Sequence, residues 1–286
     1  MSTLLRAAVG DYPHTLALKS GRVRSDLLSF DFAAIPAINR AFAPMVRERK
    51  FDVCEIAIAT FFQAKAYGKP LVLAPIVTAA RFQQSALLCR DVSDIAGPAD
   101  LRGRRIGVRA YSQTTGVWLR GMLADDYGVR PEDIHWTTFE GAHVAEYRDP
   151  PFVDRADEGK DMLAMLRDGE LDAVIVGNDP PNDSHLRPVF ADAEASAQSF
   201  WRKHGFVPVN HMICMRAELA KDAGVIPELM RMFAEAKALA PPPKDGRDPY
   251  LASREALAPA LELALRYAKE QGLLPRPLSV DELWEA

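Results

Sequence analysis

The chain has 286 residues, 48% hydrophobic and 26% charged, with a formal net charge of -4. At roughly 150 residues per domain this suggests about two domains, with enough apolar material to bury a core without disulfides or metals. The mild negative balance speaks against the basic stripe of a nucleic-acid-binding protein, but leaves room for a local cationic pocket.

In chain order, residues 4–9 read as a buried strand and residues 28–33 as a second. Residues 36–49 have helical spacing, with Pro36 near the first turn. A third strand is expected over 53–59, a short helix over 61–67 closed by Gly68, and strands over 71–75 and 85–89. Residues 105–108 read as a strand, and 114–127 as a strong helix stopped by Gly128. Strands at 134–138, 171–176, Val189 and 209–215 alternate with helices at 160–167 and 191–204. From 226 onwards the pattern is helical, broken by Pro241, Pro242 and Pro243. Strands alternating with helices indicate an α/β protein with parallel sheets. The polar, aperiodic stretch 141–159 reads as a long loop, and loops of that length are often functional.

Cys54, Cys89 and Cys214 are widely spaced with no C-x-x-C, which indicates neither a disulfide scaffold nor a zinc ribbon. The N-terminal residues lack an apolar h-region, and no stretch approaches the roughly 20 apolar residues of a membrane span. The expectation is a cytoplasmic protein without membrane or nucleic-acid partners. No G-x-G-x-x-G, P-loop, H-E-x-x-H or nucleophile elbow is present, and no metal site or cofactor is indicated, with a divalent metal left open. The apolar positions of 257–274 are compatible with a homodimer interface and equally with intramolecular packing.

A set of segments carries a family likeness: DYPHT (11–15), SGRV (20–23), FDVCEIAIA (51–59), ARFQQSALLCR (80–90), DLRGRRIGVRAYSQTTGVWLRGMLADDYGV (100–129), LRDGELDAVIV (166–176) and FVPVNHMICMR (206–216). In order and spacing they resemble the 4,5-dihydroxyphthalate decarboxylase family, within the type II periplasmic-binding-protein-like (NMT1/THI5-like) fold. The resemblance implies two α/β lobes around a central ligand cleft. One lobe is discontinuous, comprising 1–87 and 207–286; the other comprises 88–206. The chain departs from the family pattern at Gln83-Gln84-Ser85, where an Arg-His-Ser run is usual, and at Gly141-Ala142-His143 in place of a Pro-Gly-Arg.

Candidate site residues follow from position and chemistry. Tyr111, Ser112, Gln113, Thr114 and Thr115 lie between a strand and a helix, where free amides attract anions; an ordinary N-cap fits the same residues. Arg81 could grip a carboxylate, with Phe82 and Ser85 beside it; Arg109 is a second cation. Asp11, Tyr12 and His14 occupy the loop after the first strand, where Asp11 could equally cap a helix over 13–19. Glu55 sits inside an apolar strand, where an acid is costly unless paired. The family likeness places a histidine at His211, which makes it the first choice for proton transfer, oriented by Glu55 or Asp11. Asn178 and Asp179 follow a strand and could face the cleft or form a turn before Pro180. The expectation is a non-oxidative decarboxylase of a hydroxylated aromatic carboxylate. The alternative is a non-catalytic binding protein for a similar aromatic acid.

Overall fold

A computed structural model of the chain describes residues 2–177, 180–243 and 246–286. The first part of the chain forms β1 (Thr3–Ala8), α1 (Pro13–Lys19), β2 (Leu28–Phe32), a 3-10 turn (Ile38–Ala41) leading into α2 (Phe42–Glu48), β3 (Val53–Ala57), α3 (Ile58–Ala66) and β4 (Leu71–Ala80). Next come β5 (Leu87–Arg90), β6 (Arg105–Val108), α4 (Thr114–Tyr127), β7 (His135–Thr138), β8 (Val153–Arg155), α5 (Met162–Arg167), β9 (Ala173–Ile175), β10 (Leu186–Pro188) and α6 (Ala193–His204). The remainder is β11 (Val209–Arg216), α7 (Val225–Ala238), α8 (Arg254–Glu270) and α9 (Val280–Leu283).

The strands form two sheets and thus two lobes. The first has the order β2-β1-β3-β11-β4 and the second β10-β5-β9-β6-β7-β8. In the first, β1 runs parallel to β2 and β3, while β11 enters antiparallel between β3 and β4. In the second, β6, β7, β8 and β9 are mutually parallel, and β5 is antiparallel to both of its neighbours, β9 and the edge strand β10. The chain leaves the first sheet after β4 and returns to it at β11, so the second sheet is built from the segment between.

Local chemistry explains most element limits. In β3 all five residues are buried, and in α3 eight of nine are. A continuous apolar run therefore conceals the boundary between them, and the strand expected to reach residue 59 ends at Ala57. The expected helix 36–49 is divided into the 3-10 turn and α2. Strand β4 continues to Ala80, beyond the expected limit at 75, because it stays paired with β11. The loop expected over 141–159 contains the short edge strand β8. Helix α4 matches its expected limits, ending at Gly128 in the left-handed region with φ 65°.

The C-terminal region reaches both lobes. Helix α7 packs on α1, whereas α8 packs on α3 and on α4. Contact with α4 is close at Gly121, where an added Cβ would fall 2.2 Å from the Tyr267 ring. The Tyr267 hydroxyl donates to Asp125 at 2.8 Å. Two further bonds join the lobes: Trp118 Nε1 donates to the Val209 carbonyl at 2.8 Å, and the Ala59 amide donates to Thr114 Oγ1 at 3.3 Å.

Candidate active site

A cavity of about 690 Å³ lies where the two sheets face one another. Its walls are the segments that follow the carboxyl ends of β1 (Val9–Tyr12), β3 (Ala57, Thr60), β6 (Arg109, Ala110) and β7 (Gly141, His143). This is the position at which open parallel sheets place a crevice, because the connecting loops diverge there. Helices α3 and α4 begin at this wall, through Ala57 and Gln113. Each helix start carries roughly half a positive charge on unpaired amides, so the wall attracts an anion. Lys19 and Arg109 line the same cavity; Lys19 is ion-paired with Asp11, and Arg109 donates to Glu140 at 2.6 Å.

A hydrogen-bonded network is assembled around Glu55. Its side chain is fully buried on β3 and accepts from three donors: the Gly10 amide at 2.9 Å, the Tyr12 hydroxyl at 2.7 Å and His211 Nδ1 at 2.7 Å. Burial alone would raise this carboxyl; the bonds from His211, Gly10 and Tyr12 outweigh it and hold the group below its ordinary value. Glu55 is therefore an ionised acceptor, and the facing His211 nitrogen carries a hydrogen. That commits Nδ1 and leaves Nε2 of a residue that lines the cavity. Burial and the adjacent Glu55 carboxylate push the Tyr12 phenol up, keeping it a donor.

Strand register explains how these distant residues meet. Antiparallel pairing sets His211 opposite Ala57 and Ile213 opposite Glu55. His211 thus stands two pairs nearer the cavity than the carboxylate it binds. Asn210 also lines the cavity and accepts from Gln83 Nε2 at 2.7 Å; Gln83 Nε2 also donates to the Arg81 carbonyl at 2.7 Å. Gln83 is thus a brace for the residue beside His211.

Ser112, Gln113, Thr114 and Thr115 all line the cavity at the start of α4. Thr114 Oγ1 is occupied by the Ala59 amide, and Thr115 Oγ1 accepts from Arg81 Nη2 at 3.0 Å. Arg81 thus stands behind Thr115 and is not among the lining residues. Tyr12 and Asp11 line the cavity, but Asp11 is exposed and taken by Lys19 instead of His211.

The other expected residues point elsewhere. His14 is buried behind Tyr12, stacked against it and against Tyr250, with Nε2 bonded to the Thr78 carbonyl at 3.0 Å. Phe82 packs edge-on to Phe200, and Ser85 is exposed on a 3-10 turn. Tyr111 is fully buried under the guanidinium of Arg120, 3.9 Å from its ring centroid. Arg120 is itself buried; its Nη2 donates to the Tyr111 carbonyl at 2.5 Å and its Nε to Gln271 Oε1 at 2.7 Å. Asn178 and Asp179 lie outside the described residues.

Sequence reading passed over Lys19, Asn39, Thr60 and His143, all of which line the cavity. His143 Nδ1 shares a 2.9 Å hydrogen bond with Thr60 Oγ1. His143 and His211 both meet Phe42 nearly edge-on, at 5.7 and 5.1 Å between centroids. Burial, then Arg109, Arg47 and His211, lower the His143 imidazole to about 4. Among the described residues, no three His, Cys, Asp or Glu side chains gather as they would to hold a metal ion.

Comparison with known proteins adds the following. No family model matches the chain. It is 28% identical over 255 residues to a 4,5-dihydroxyphthalate decarboxylase of Comamonas testosteroni, spanning 82% of this chain and 75% of that one. It is also 28% identical over 212 residues to a 4,5-dihydroxyphthalate decarboxylase of Pseudomonas putida, spanning 69% and 81%. Among solved structures, the aliphatic sulphonate binding protein SsuA of Escherichia coli superposes with a TM-score of 0.67 at 18% identity, covering 100% of this chain and 93% of that one. The alkanesulfonate-binding protein of Xanthomonas axonopodis pv. citri, bound to MOPS, gives 0.66 at 17% identity, covering both chains fully, at 100% each. The resemblance read from the sequence and the two-lobed periplasmic-binding-protein fold are borne out. Among the described residues, no helix is long and apolar enough to cross a membrane.

Proposed function

We propose that the chain is a non-oxidative decarboxylase of a hydroxylated aromatic carboxylate, of which 4,5-dihydroxyphthalate is the leading candidate. The observation that carries this reading is the Glu55–His211 pair, bonded at 2.7 Å and facing a cavity whose opposite wall begins helix α4. The distant relatives that bear the decarboxylase name support it.

The chemistry assigns a place to each group. The substrate carboxylate that is retained sits on the Ser112–Thr115 amides, with Arg81 holding Thr115 from behind. A ring hydroxyl para to the leaving carboxylate supplies electron density as its O–H bond weakens. His211 Nε2–H gives its proton to the ring carbon that bears the leaving carboxylate, and a C–H bond forms. The C–C bond then breaks, its electron pair restores the aromatic ring, and carbon dioxide departs. The hydroxyl keeps its hydrogen throughout, and His211 is reprotonated from solvent, so one proton is consumed per turnover. Glu55 fixes the tautomer and stabilises the charged ring, a contribution on the order of 10²–10⁴ in rate for a well-placed acid. Tyr12 and the Gly10 amide keep Glu55 ionised and correctly turned.

Incubation with 4,5-dihydroxyphthalate tests the reading. Stoichiometric carbon dioxide and 3,4-dihydroxybenzoate are expected; no turnover, with or without divalent metal, overturns it. The second reading is a receptor that binds an aromatic acid without chemistry, favoured by the anion-attracting start of α4. Titration calorimetry combined with product analysis separates binding from turnover.

A further inference from the structure

We propose that His143 hydrogen-bonds a ring hydroxyl of the ligand and so sets which aromatic carboxylates the cavity accepts. The inference rests on reading the cavity as an aromatic-carboxylate site. It starts from where His143 comes from and what holds it. The residue belongs to the loop after β7, in the second lobe, yet its hydrogen-bond partners Arg47 and Thr60 belong to the first. Arg47 of α2 donates through Nε to the His143 carbonyl at 2.7 Å and through Nη2 to the Ala142 carbonyl at 2.9 Å. Thr60 of α3 takes Nδ1, Phe42 meets the ring nearly at right angles, and Lys69 pairs with Glu146 at 2.5 Å farther along the loop. The loop is latched across the cleft, and the imidazole at its tip is immobilised in the cavity wall with Nε2 still uncommitted.

The surroundings decide what this nitrogen recognises. Arg47 faces it from α2, Arg109 from the end of β6, His211 from β11 and the Thr60 hydroxyl from α3; none is a carboxylate. With burial, these groups keep the ring neutral through the neutral pH range. The other cavity imidazole, His211, is bonded to an ionised acid. Two histidines beside one phenylalanine thus have opposite environments, a pattern that separates roles in acid–base sites. A neutral imidazole exerts little pull on a carboxylate that can reach a helix start. It suits a hydroxyl, which donates and accepts and therefore fits either tautomer set by Thr60.

Calorimetric titration of the full-length protein with 4,5-dihydroxyphthalate and with phthalate, which lacks the hydroxyls, tests this. The wild type is expected to prefer the dihydroxy acid by about tenfold, the scale of one hydrogen bond in a water-poor site. His143→Phe should abolish that preference while its affinity for phthalate stays at the wild-type value. His143→Leu serves as a second apolar variant should the first fail to fold, and His143→Gln should restore part of the preference. Arg47→Met, which releases the latch, should narrow the preference without touching the ligand. A preference unchanged in the His143 variants overturns the assignment, as does a wild type that binds neither acid. A preference that is present and lost on substitution, with no carbon dioxide released, sustains the His143 assignment and removes the decarboxylase reading.

Discussion

Glu55→Gln isolates the charge of the central carboxylate while keeping its shape. The native side chain is fully buried and meets three donors, at 2.9, 2.7 and 2.7 Å. A carboxylate can satisfy all three; a carboxamide must turn its NH₂ either toward Gly10 or toward Tyr12 and His211, which share one oxygen. Facing Gly10, it sets donor against donor and leaves a buried amide unpaired, a cost of about 1–3 kcal/mol. Facing His211, it forces Nδ1 to give up its hydrogen and excludes the doubly protonated ring that proton delivery requires. The expected result is a folded protein with melting lowered by a few degrees and kcat reduced about 10²–10⁴-fold, equivalent to roughly 3–5 kcal/mol of barrier. Chromatographic product assay with trapped carbon dioxide, beside a thermal melt, provides both readouts. A Glu55→Gln protein that melts cooperatively and retains kcat within about threefold would refute the argument that this charge governs His211.

Arg81→Met removes the donor behind Thr115 and loosens the carboxylate seat; KM should rise about tenfold with a smaller change in kcat, read from initial rates. His143 makes stability depend on pH with a definite sign. The folded ring titrates near about 4, against an ordinary value of 6.5, so the unfolded chain binds the proton first. Its contribution is complete above pH 6.5, is lost as pH falls toward 4, and amounts to at most about 3 kcal/mol. Urea midpoints should therefore fall more steeply over that window in the wild type than in His143→Gln, and parallel curves would contradict the sign. Gly121→Ala places a methyl 2.2 Å from a buried, hydrogen-bonded tyrosine ring and should cost about 1–3 kcal/mol in urea unfolding, despite the better helix propensity of alanine.

Elements whose signals are local were readable from the sequence. Helix α4 has a turn before it, Gly128 after it and apolar spacing between, and its limits agree with expectation. Helix α3 was legible only over 61–67, from its closing Gly68, because a helix buried on nearly every side loses its periodicity; Thr60 was hidden in its first turn, within the expected strand's continuation. Glu55 and His211 each stood out as polar residues in apolar strands, but their meeting depends on a register between positions 156 apart in sequence. His143 lies in an aperiodic loop whose course is set by Arg47, 96 residues away, so the loop's length and the unusual Gly141-Ala142-His143 run marked the segment without giving the residue a place in the site. Asp11, Tyr12 and His14 are neighbours in sequence with separate fates: an exposed ion pair, the Glu55 network and the Thr78 carbonyl. Adjacency in the chain did not identify which of the three would serve the cavity.

The Arg120–Gln271 bond has a consequence for biosynthesis. Its partners lie 151 residues apart, and Gln271 also donates to the Val117 carbonyl at 2.8 Å in the first turn of the helix that begins at the cavity wall. While the polypeptide is emerging from the ribosome, both sheets are complete before Gln271 appears. The guanidinium stacked on Tyr111 then lacks its bond to Gln271, and the Val117 carbonyl lacks its donor. Nascent chains released before that point would carry every residue of the cavity wall and still lack two of the bonds that fix the start of α4, so the rigidity of that wall is completed only by the tail.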